Sequence, residues 1–138
     1  MSNVIRVFVE KRPGFDIEAG HMLSDLRDNL GLAALEELRL LNRYDLSGIS
    51  REEFQKARDT ILSEPNVDMV YDETLSVGAG WRVFAMEYLP GQYDQRADSA
   101  AQCVQLLTQG ERPQVLTARV VAIRGDVSDA DFEKIQNY

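Results

Sequence analysis

The sequence predicts an α+β protein made of two similar β-α-β-α-β units in tandem. The first observation is a repeated turn, because Glu10-Lys-Arg-Pro-Gly returns 77 residues later as Glu87-Tyr-Leu-Pro-Gly. The second is a repeated helix start, because Ser50-x-x-Glu-Phe-x-Lys returns 78 residues later as Ser128-x-x-Asp-Phe-x-Lys. Matching anchors at nearly one spacing indicate a duplicated unit, and the period is far too long for a solenoid repeat.

The first unit covers residues 1–75 and opens with a strand. Residues 4–9, Val-Ile-Arg-Val-Phe-Val, have the β-branched and aromatic composition of a buried strand. Pro13-Gly14 turns the chain, Asp16 is expected to cap the following helix, and Gly31 stands where that helix should end. The apolar face of this helix recurs at helical spacing and consists of Met22, Leu23, Leu26 and Leu30.

The rest of the first unit continues the alternation of helices and strands. Residues 32–35 are expected to form a short helical turn, and residues 38–44 a strand. Ser50 with Glu53 has the spacing of a capping box, which predicts a helix start. Residues 67–71 alternate like a half-buried strand and end the unit.

Residues 76–80, Ser-Val-Gly-Ala-Gly, are the expected linker, and the second unit covers residues 81–138. This unit repeats strand, helix and strand, and then starts a last helix at Ser128. The sequence stops at Tyr138 before a third strand, so we expect a truncated second unit. Its unfinished sheet edge could recruit a second copy of the chain as a homodimer. The first helix of the unit carries small and apolar side chains on one face, namely Ala97, Ala100, Ala101, Val104 and Leu107.

This order of elements suits a mainly antiparallel sheet with the helices on one face, as in ferredoxin-like folds. Two such units can pair their sheets as the subunits of a dimer would. We therefore expect a pseudo-dimer within one chain.

The composition limits the class of protein. The chain has 138 residues, of which 44% are hydrophobic and 28% charged, as in globular domains. Its net charge of −8 disfavours a phosphate backbone, so no nucleic-acid partner is expected. No apolar run approaches the roughly 20 residues that span a bilayer, and the N-terminus lacks a signal-peptide pattern, so no membrane is expected either. A single cysteine excludes an internal disulfide and fits a cytoplasmic location.

Residues that could carry chemistry are few. His21 is the only histidine and cannot form a metal site alone, so a surface position is expected. Cys103 has no base near it in sequence, which favours a small buried hydrophobe over a nucleophile. Gly78-x-Gly80 lacks the third glycine of a nucleotide loop and is interpreted as a hinge. Glu10-Lys-Arg is interpreted as the solvated end of a strand. No catalytic, cofactor or metal site is predicted on this chain.

One dense polar set stands out at the start of the second unit's first helix: Asp94, Gln95, Arg96, Asp98 and Ser99. The functional interpretation is an interface, because exposed helix N–H groups lie beside an arginine that can bind a carboxylate or a phosphate. The structural alternative is an Asp94 cap with an Arg–Asp surface pair of little energetic value. The first unit has Asp-Ile-Glu-Ala at the same place, so the two turns differ most in their polar chemistry.

The two turn motifs resemble a known family. Glu10-Lys-Arg-Pro-Gly-Phe-Asp and Tyr88-Leu-Pro-Gly-Gln-Tyr-Asp-Gln-Arg-Ala-Asp-Ser-Ala-Ala-Gln-Cys are similar to the N-terminal region of phosphoribosylformylglycinamidine synthase, in its large single-chain, clostridial-like bacterial form. Asn42-Arg-Tyr-Asp and Leu106-Leu-Thr-Gln-Gly-Glu-Arg-Pro fit the same family. The resemblance covers essentially the whole chain.

The resemblance implies a part in de novo purine biosynthesis. Enzymes of this family are glutamine amidotransferase ligases that convert formylglycinamide ribonucleotide, ATP and glutamine to formylglycinamidine ribonucleotide. They join an N-terminal domain similar to a dimer of the small PurS subunit, a synthetase domain that uses ATP and Mg, and a glutaminase domain with a Cys-His-Glu triad. By this resemblance the chain is the assembly and coupling domain, with two PurS-like units and no catalysis or cofactor of its own. Its partners are the synthetase and glutaminase domains, and Cys103 inherits no role.

Two alternatives stay open. The chain could be a free-standing ferredoxin-like module that binds a small metabolite between its halves. A small acid–base enzyme that uses Asp94 or Asp98 is a more remote alternative, because such catalysis needs a shifted pKa.

Overall fold

A computed structural model of the chain describes residues 4–75, 78, 80–88 and 92–137. The Pro90-Gly91 turn, and Ser76, Val77 and Ala79 of the expected linker, lie outside the described residues.

Five strands form one sheet in which every pair of neighbours is antiparallel. The order across the sheet is β3-β1-β2-β5-β4. The central strand is therefore β2, and its pairing with β5 joins the two halves of the sequence. The strands are β1 (Ile5–Lys11), β2 (Leu35–Ser47), β3 (Asp68–Asp72), β4 (Trp81–Glu87) and β5 (Gln114–Gly125).

Four helices cover one face of this sheet. They are α1 (Ile17–Asn29), α2 (Arg51–Ala57), which continues as a π-helical segment at Arg58–Leu62, α3 (Gln95–Thr108) and α4 (Asp129–Gln136). An antiparallel α+β fold of this kind agrees with the ferredoxin-like prediction.

The helical layer buries two apolar clusters, and each cluster draws on both halves of the chain. In the first, β1 and the end of β2 pack against Phe54 of α2 and against three alanines on one face of α3, Ala97, Ala100 and Ala101. In the second, the start of β2 and the end of β5 pack against Leu26 of α1 and Ile135 of α4. Neither half of the chain therefore forms an apolar core by itself.

The opposite face of the sheet carries no helix among the described residues, yet its centre is buried. Phe8, Leu41 and Val120 form a small cluster there, against which Tyr71 and Leu75 pack. Long arginine side chains of the central strands also lie on this face and pair with acidic neighbours.

Glu10 corrects one prediction about the end of β1. It is only 8% exposed, and both of its carboxylate oxygens accept hydrogen bonds from Arg39, at 2.7 and 2.8 Å. Tyr71 Oη donates a third hydrogen bond at 3.0 Å. Only Lys11 and Arg12 of the Glu-Lys-Arg segment are exposed as expected. The sequence could not show that β2 and β3 both flank this position.

The second strand is longer than its composition suggested. Residues 32–35 do not form a helical turn; they form a β-turn in which the N–H of Leu35 donates to the carbonyl of Leu32 at 3.1 Å. The strand then continues past Tyr44 to Ser47, since β5 pairs with it along its whole length. The long ladder with β5 supplies the backbone partners that local composition does not reveal.

The helix starts lie where they were predicted, but one of the predicted side-chain caps is absent. Ser50 and Glu53 form a complete capping box at α2, and Ser128 accepts from the N–H of Asp131 at α4. Gly31 follows α1 with a φ of +68°, a conformation that glycine adopts without strain. Asp16, however, makes no capping hydrogen bond to α1; its carboxylate accepts from the N–H of Gly14 at 3.2 Å instead.

Candidate functional site

The five polar residues predicted at the start of α3 do not form one cluster. Asp94 is a structural residue: Oδ1 accepts from the N–H of Ala97 at 2.9 Å. Oδ2 accepts from the N–H and the Oγ1 of Thr117, at 3.1 and 2.7 Å. Thr117 stands one residue beyond the last β4–β5 pair, Glu87–Ala118. Asp94 thus caps α3 and links it by hydrogen bonds to β5, just beyond the end of the β4–β5 ladder.

Asp98 lies with Tyr93 and Arg112 on one side of α3. Tyr93 Oη donates to Oδ2 of Asp98 at 2.9 Å, and Arg112 donates to Oδ1. The hydrogen bond from Tyr93, followed by that from Arg112, lowers the pKa of Asp98. A carboxylate held ionised in this way is a poor general acid or base at neutral pH, which argues against the acid–base alternative.

Gln95, Arg96 and Ser99 lie on the other side of α3 and line a surface groove of about 450 Å³ with Tyr44, Ile61, Tyr88, Ala100 and Cys103. Cys103 is exposed, so the prediction of a buried cysteine was wrong. Its position is on the outward side of α3, since the buried positions of the helix are Ala97, Ala100, Ala101 and Val104. Leu107 is likewise 42% exposed rather than packed.

A second cavity opens between α1 and α3 in the middle of the helical layer. This central cleft has a volume of about 430 Å³. We define it by Lys11, Asp16, Glu18, Asn42, Tyr44, Asp68, Arg96 and Arg119, which supply its polar lining, together with Val9, Phe15, Ala19, Leu40 and Leu62. It separates the two apolar clusters of the helical layer.

Most charges in the central cleft are already paired. Arg119 of β5 forms an ion pair with Glu18 of α1, and Lys11 of β1 forms one with the buried Asp68 at 3.0 Å. The first pair joins α1 to the sheet, whereas the second links the neighbouring strands β1 and β3.

Arg96 links the central cleft to the groove beside α3, because Arg96 and Tyr44 line both. Its Nη1 donates to Tyr44 Oη at 3.4 Å, and this hydrogen bond raises the pKa of Arg96. Among the described residues, Arg96 has no ion pair with a carboxylate. The guanidinium is a permanent cation that an incoming anionic group can reach.

The floor of the cleft was not predicted from the sequence, although a signal for it was present. Asn42 lies in β2 on the face that carries Leu38, Tyr44 and Leu46, all of them buried. A polar residue on the buried face of a strand is the informative exception to alternation. Arg119 in β5 is directly opposite it.

The described part of the chain offers no metal-binding site, either at His21 or elsewhere. His21 is exposed on α1, as predicted. The described residues include no group of three His, Cys, Asp or Glu side chains that could hold a metal ion. No described helix is both long and apolar enough to cross a membrane.

The fold and the cleft define a class: an α+β protein with a five-stranded antiparallel sheet, four helices on one face and a polar cleft between them. Comparison with protein-family models, with curated proteins and with solved structures yields no match to this chain.

Proposed function

We propose that the chain is the N-terminal assembly and coupling domain of phosphoribosylformylglycinamidine synthase, built from two PurS-like units. The turn motifs that carry the resemblance lie at the starts of α1 and α3, which are equivalent positions in the two units. The single observation that supports the proposal most is the pairing of the two units through β2 and β5.

The strand registers support a duplicated pair of units. Glu10–Leu41 is a pair of the β1–β2 ladder, and Glu87–Ala118 is a pair of the β4–β5 ladder. Both members shift by the 77 residues that separate the two turn motifs. Asn42 and Arg119 are also separated by 77 and pair with each other across β2 and β5. A dimer axis would relate two subunits in this way, with one residue opposite its own counterpart.

The same symmetry supports an open position in the sheet. In the first unit β3 pairs with the outer edge of β1, but no described strand pairs with the outer edge of β4. We propose that a further strand completes the second unit there.

The sequence of the complete reading frame is the first test. A frame that continues into ATP-binding synthetase and Cys-His-Glu glutaminase motifs supports the proposal. A frame without them, and without separate synthetase and glutaminase genes nearby, supports the free-standing metabolite-binding module instead.

The coupling role has a second test in the full-length synthase. Replacing Arg96 and Asp98 by alanine should lower glutamine-dependent synthesis while ammonia-dependent synthesis is retained, because an interface that passes ammonia between domains is bypassed by free ammonia. Glu133→Ala, an exposed change on α4, is the control. Unchanged glutamine-dependent synthesis in the double variant would contradict an interface at α3.

A further inference from the structure

The central cleft retains two charged groups that form no ion pair in the described part of the chain. Once the pairs Arg119–Glu18 and Lys11–Asp68 are set aside, Arg96 and Asp16 remain in its polar lining. Among the described residues, the Arg96 side chain donates to the Tyr44 hydroxyl alone, and the Asp16 carboxylate accepts from the Gly14 N–H alone.

These two groups come from different elements. Arg96 belongs to α3, and Asp16 immediately precedes α1. The floor between the helices adds the Asn42 amide, for which the structure gives no side-chain hydrogen bond to another described residue, and the Tyr44 hydroxyl. One cation, one carboxylate and two neutral hydrogen-bonding groups therefore converge on one space.

The size of the cleft suits a small metabolite. Its 430 Å³ falls within the range of about 300–1,000 Å³ typical of ligand pockets. Its lining also includes apolar side chains, Val9, Leu40 and Leu62 among them, which can cover an uncharged part of a ligand. The charges of the lining balance, so a dianion such as phosphate gains little from it.

We propose that the central cleft binds a zwitterion of the α-amino acid class. The ligand carboxylate lies on Arg96 with support from the Asn42 amide, and the ligand ammonium lies on Asp16. A charge-assisted hydrogen bond forms at each end of the ligand, and these are stronger than bonds between neutral groups. The proposal does not rest on the purine-synthase assignment, because it concerns the charges of this chain alone.

The test is a binding assay on the 138-residue protein. Each of the twenty L-amino acids, inorganic phosphate and succinate are added at about 10 mM, which detects millimolar dissociation constants, and the unfolding temperature is followed. At least one amino acid should raise it by binding the native state. The N-acetyl and the α-amide derivatives of that amino acid should each bind about tenfold to a hundredfold more weakly, since each loses one charged contact.

Matched variants locate the site. Arg96→Gln should weaken binding of the amino acid about tenfold or more but leave binding of its α-amide unchanged. Asp16→Asn should weaken binding of the amino acid to a similar extent but leave binding of its N-acetyl derivative unchanged. Arg112→Gln and Asp129→Asn, which lie outside the cleft, should bind as the unchanged protein does. Circular dichroism checks folding, and Arg96→Lys, which keeps the charge, should retain part of the affinity if Arg96→Gln proves unstable.

Three results would overturn the proposal. The first is that none of the twenty amino acids binds. The second is that phosphate or succinate binds at least as tightly as the best amino acid. The third is that Arg96→Gln and Asp16→Asn leave binding unchanged. Because the coupling assay uses the full-length synthase and this assay uses the isolated chain, the two proposals can fail separately.

Discussion

Glu10 and Glu87 hold the same place in the two repeated turns, yet their surroundings differ. Glu10 is nearly buried between β2 and β3 and is bound by Arg39 and Tyr71. The Glu87 side chain is 65% exposed and, among the described residues, forms an ion pair with Arg43 alone. The outer strand β3 makes the difference, since it covers β1 but has no counterpart beside β4 in the described residues.

Replacing Glu10 by glutamine should destabilise the fold. The change leaves Arg39, whose side chain is 24% exposed, without its carboxylate partner. A partly buried charge that loses its partner costs about 1–3 kcal/mol. Chemical denaturation measures the change in the free energy of unfolding. Arg51→Gln removes the exposed pair with Glu73 and should cost less than about 1 kcal/mol; equal losses would contradict the difference in burial.

Asp98 should titrate below its ordinary pKa of 3.8. The Tyr93 hydroxyl and Arg112 stabilise its ionised form, so its folded pKa is lower than its unfolded pKa. Its contribution to stability is therefore present above the unfolded pKa and is lost as the pH falls through the folded pKa. Carbon-detected NMR of the carboxyl group measures this titration. Tyr93→Phe should move the pKa of Asp98 back toward 3.8, and an unchanged value in that variant would show that the hydroxyl is not the cause.

At the scale of elements, α1 and α3 begin alike in sequence but differently in structure. The Asp94 side chain caps α3 and also binds Thr117 of β5, whereas the side chain of the equivalent Asp16 makes no capping hydrogen bond. The local spacing of an acid after Pro-Gly is the same in both turns, so the sequence alone could not separate them.

The two aspartates should respond differently to alanine. Asp94→Ala removes three hydrogen bonds and leaves the buried Thr117 without its acceptor, which should cost about 1–3 kcal/mol. Asp16→Ala removes one exposed turn contact and should cost less than about 0.5 kcal/mol. Thermal or urea unfolding of the two variants makes the comparison. A larger loss for Asp16→Ala would mean that the α1 start is capped after all.

At the scale of the whole molecule, the two predicted units share their interior. Both apolar clusters under the helices contain residues from before and after the linker, and the β2–β5 ladder joins the two halves within the sheet. Each half of the chain therefore buries its apolar side chains only when it packs against the other half.

Separated halves should fold only together. Fragments 1–75 and 76–138 expressed alone should lack a cooperative, concentration-independent unfolding transition, because each exposes half of two clusters and one side of the central ladder. Mixing them should restore the native circular dichroism spectrum. A cooperative transition in either fragment alone that does not depend on its concentration would instead show that the two units are independent domains.

The candidate site was only partly accessible from the sequence. Arg96 was singled out for its position at a helix start, and it does face a cleft. The other cleft residues, Asp16, Asn42 and Arg119, were not predicted as site residues, because they come from three elements that meet only when β2 pairs with β5. Asp98, chosen beside Arg96, points to a different pocket with Tyr93 and Arg112, since neighbouring residues of a helix project in different directions.

The sequence by itself determined most of the elements of this protein. Strand composition and the Ser50 and Ser128 caps are local signals, so they predicted which segments are strands and helices, apart from residues 32–35. The duplication indicated by the repeated turns stays a prediction. Only the tertiary structure decided the length of β2, the burial of Glu10, the exposure of Cys103 and the existence of the central cleft. Each of these depends on which strands and helices become neighbours, and burial and charge pairing are properties of neighbours in space rather than in sequence.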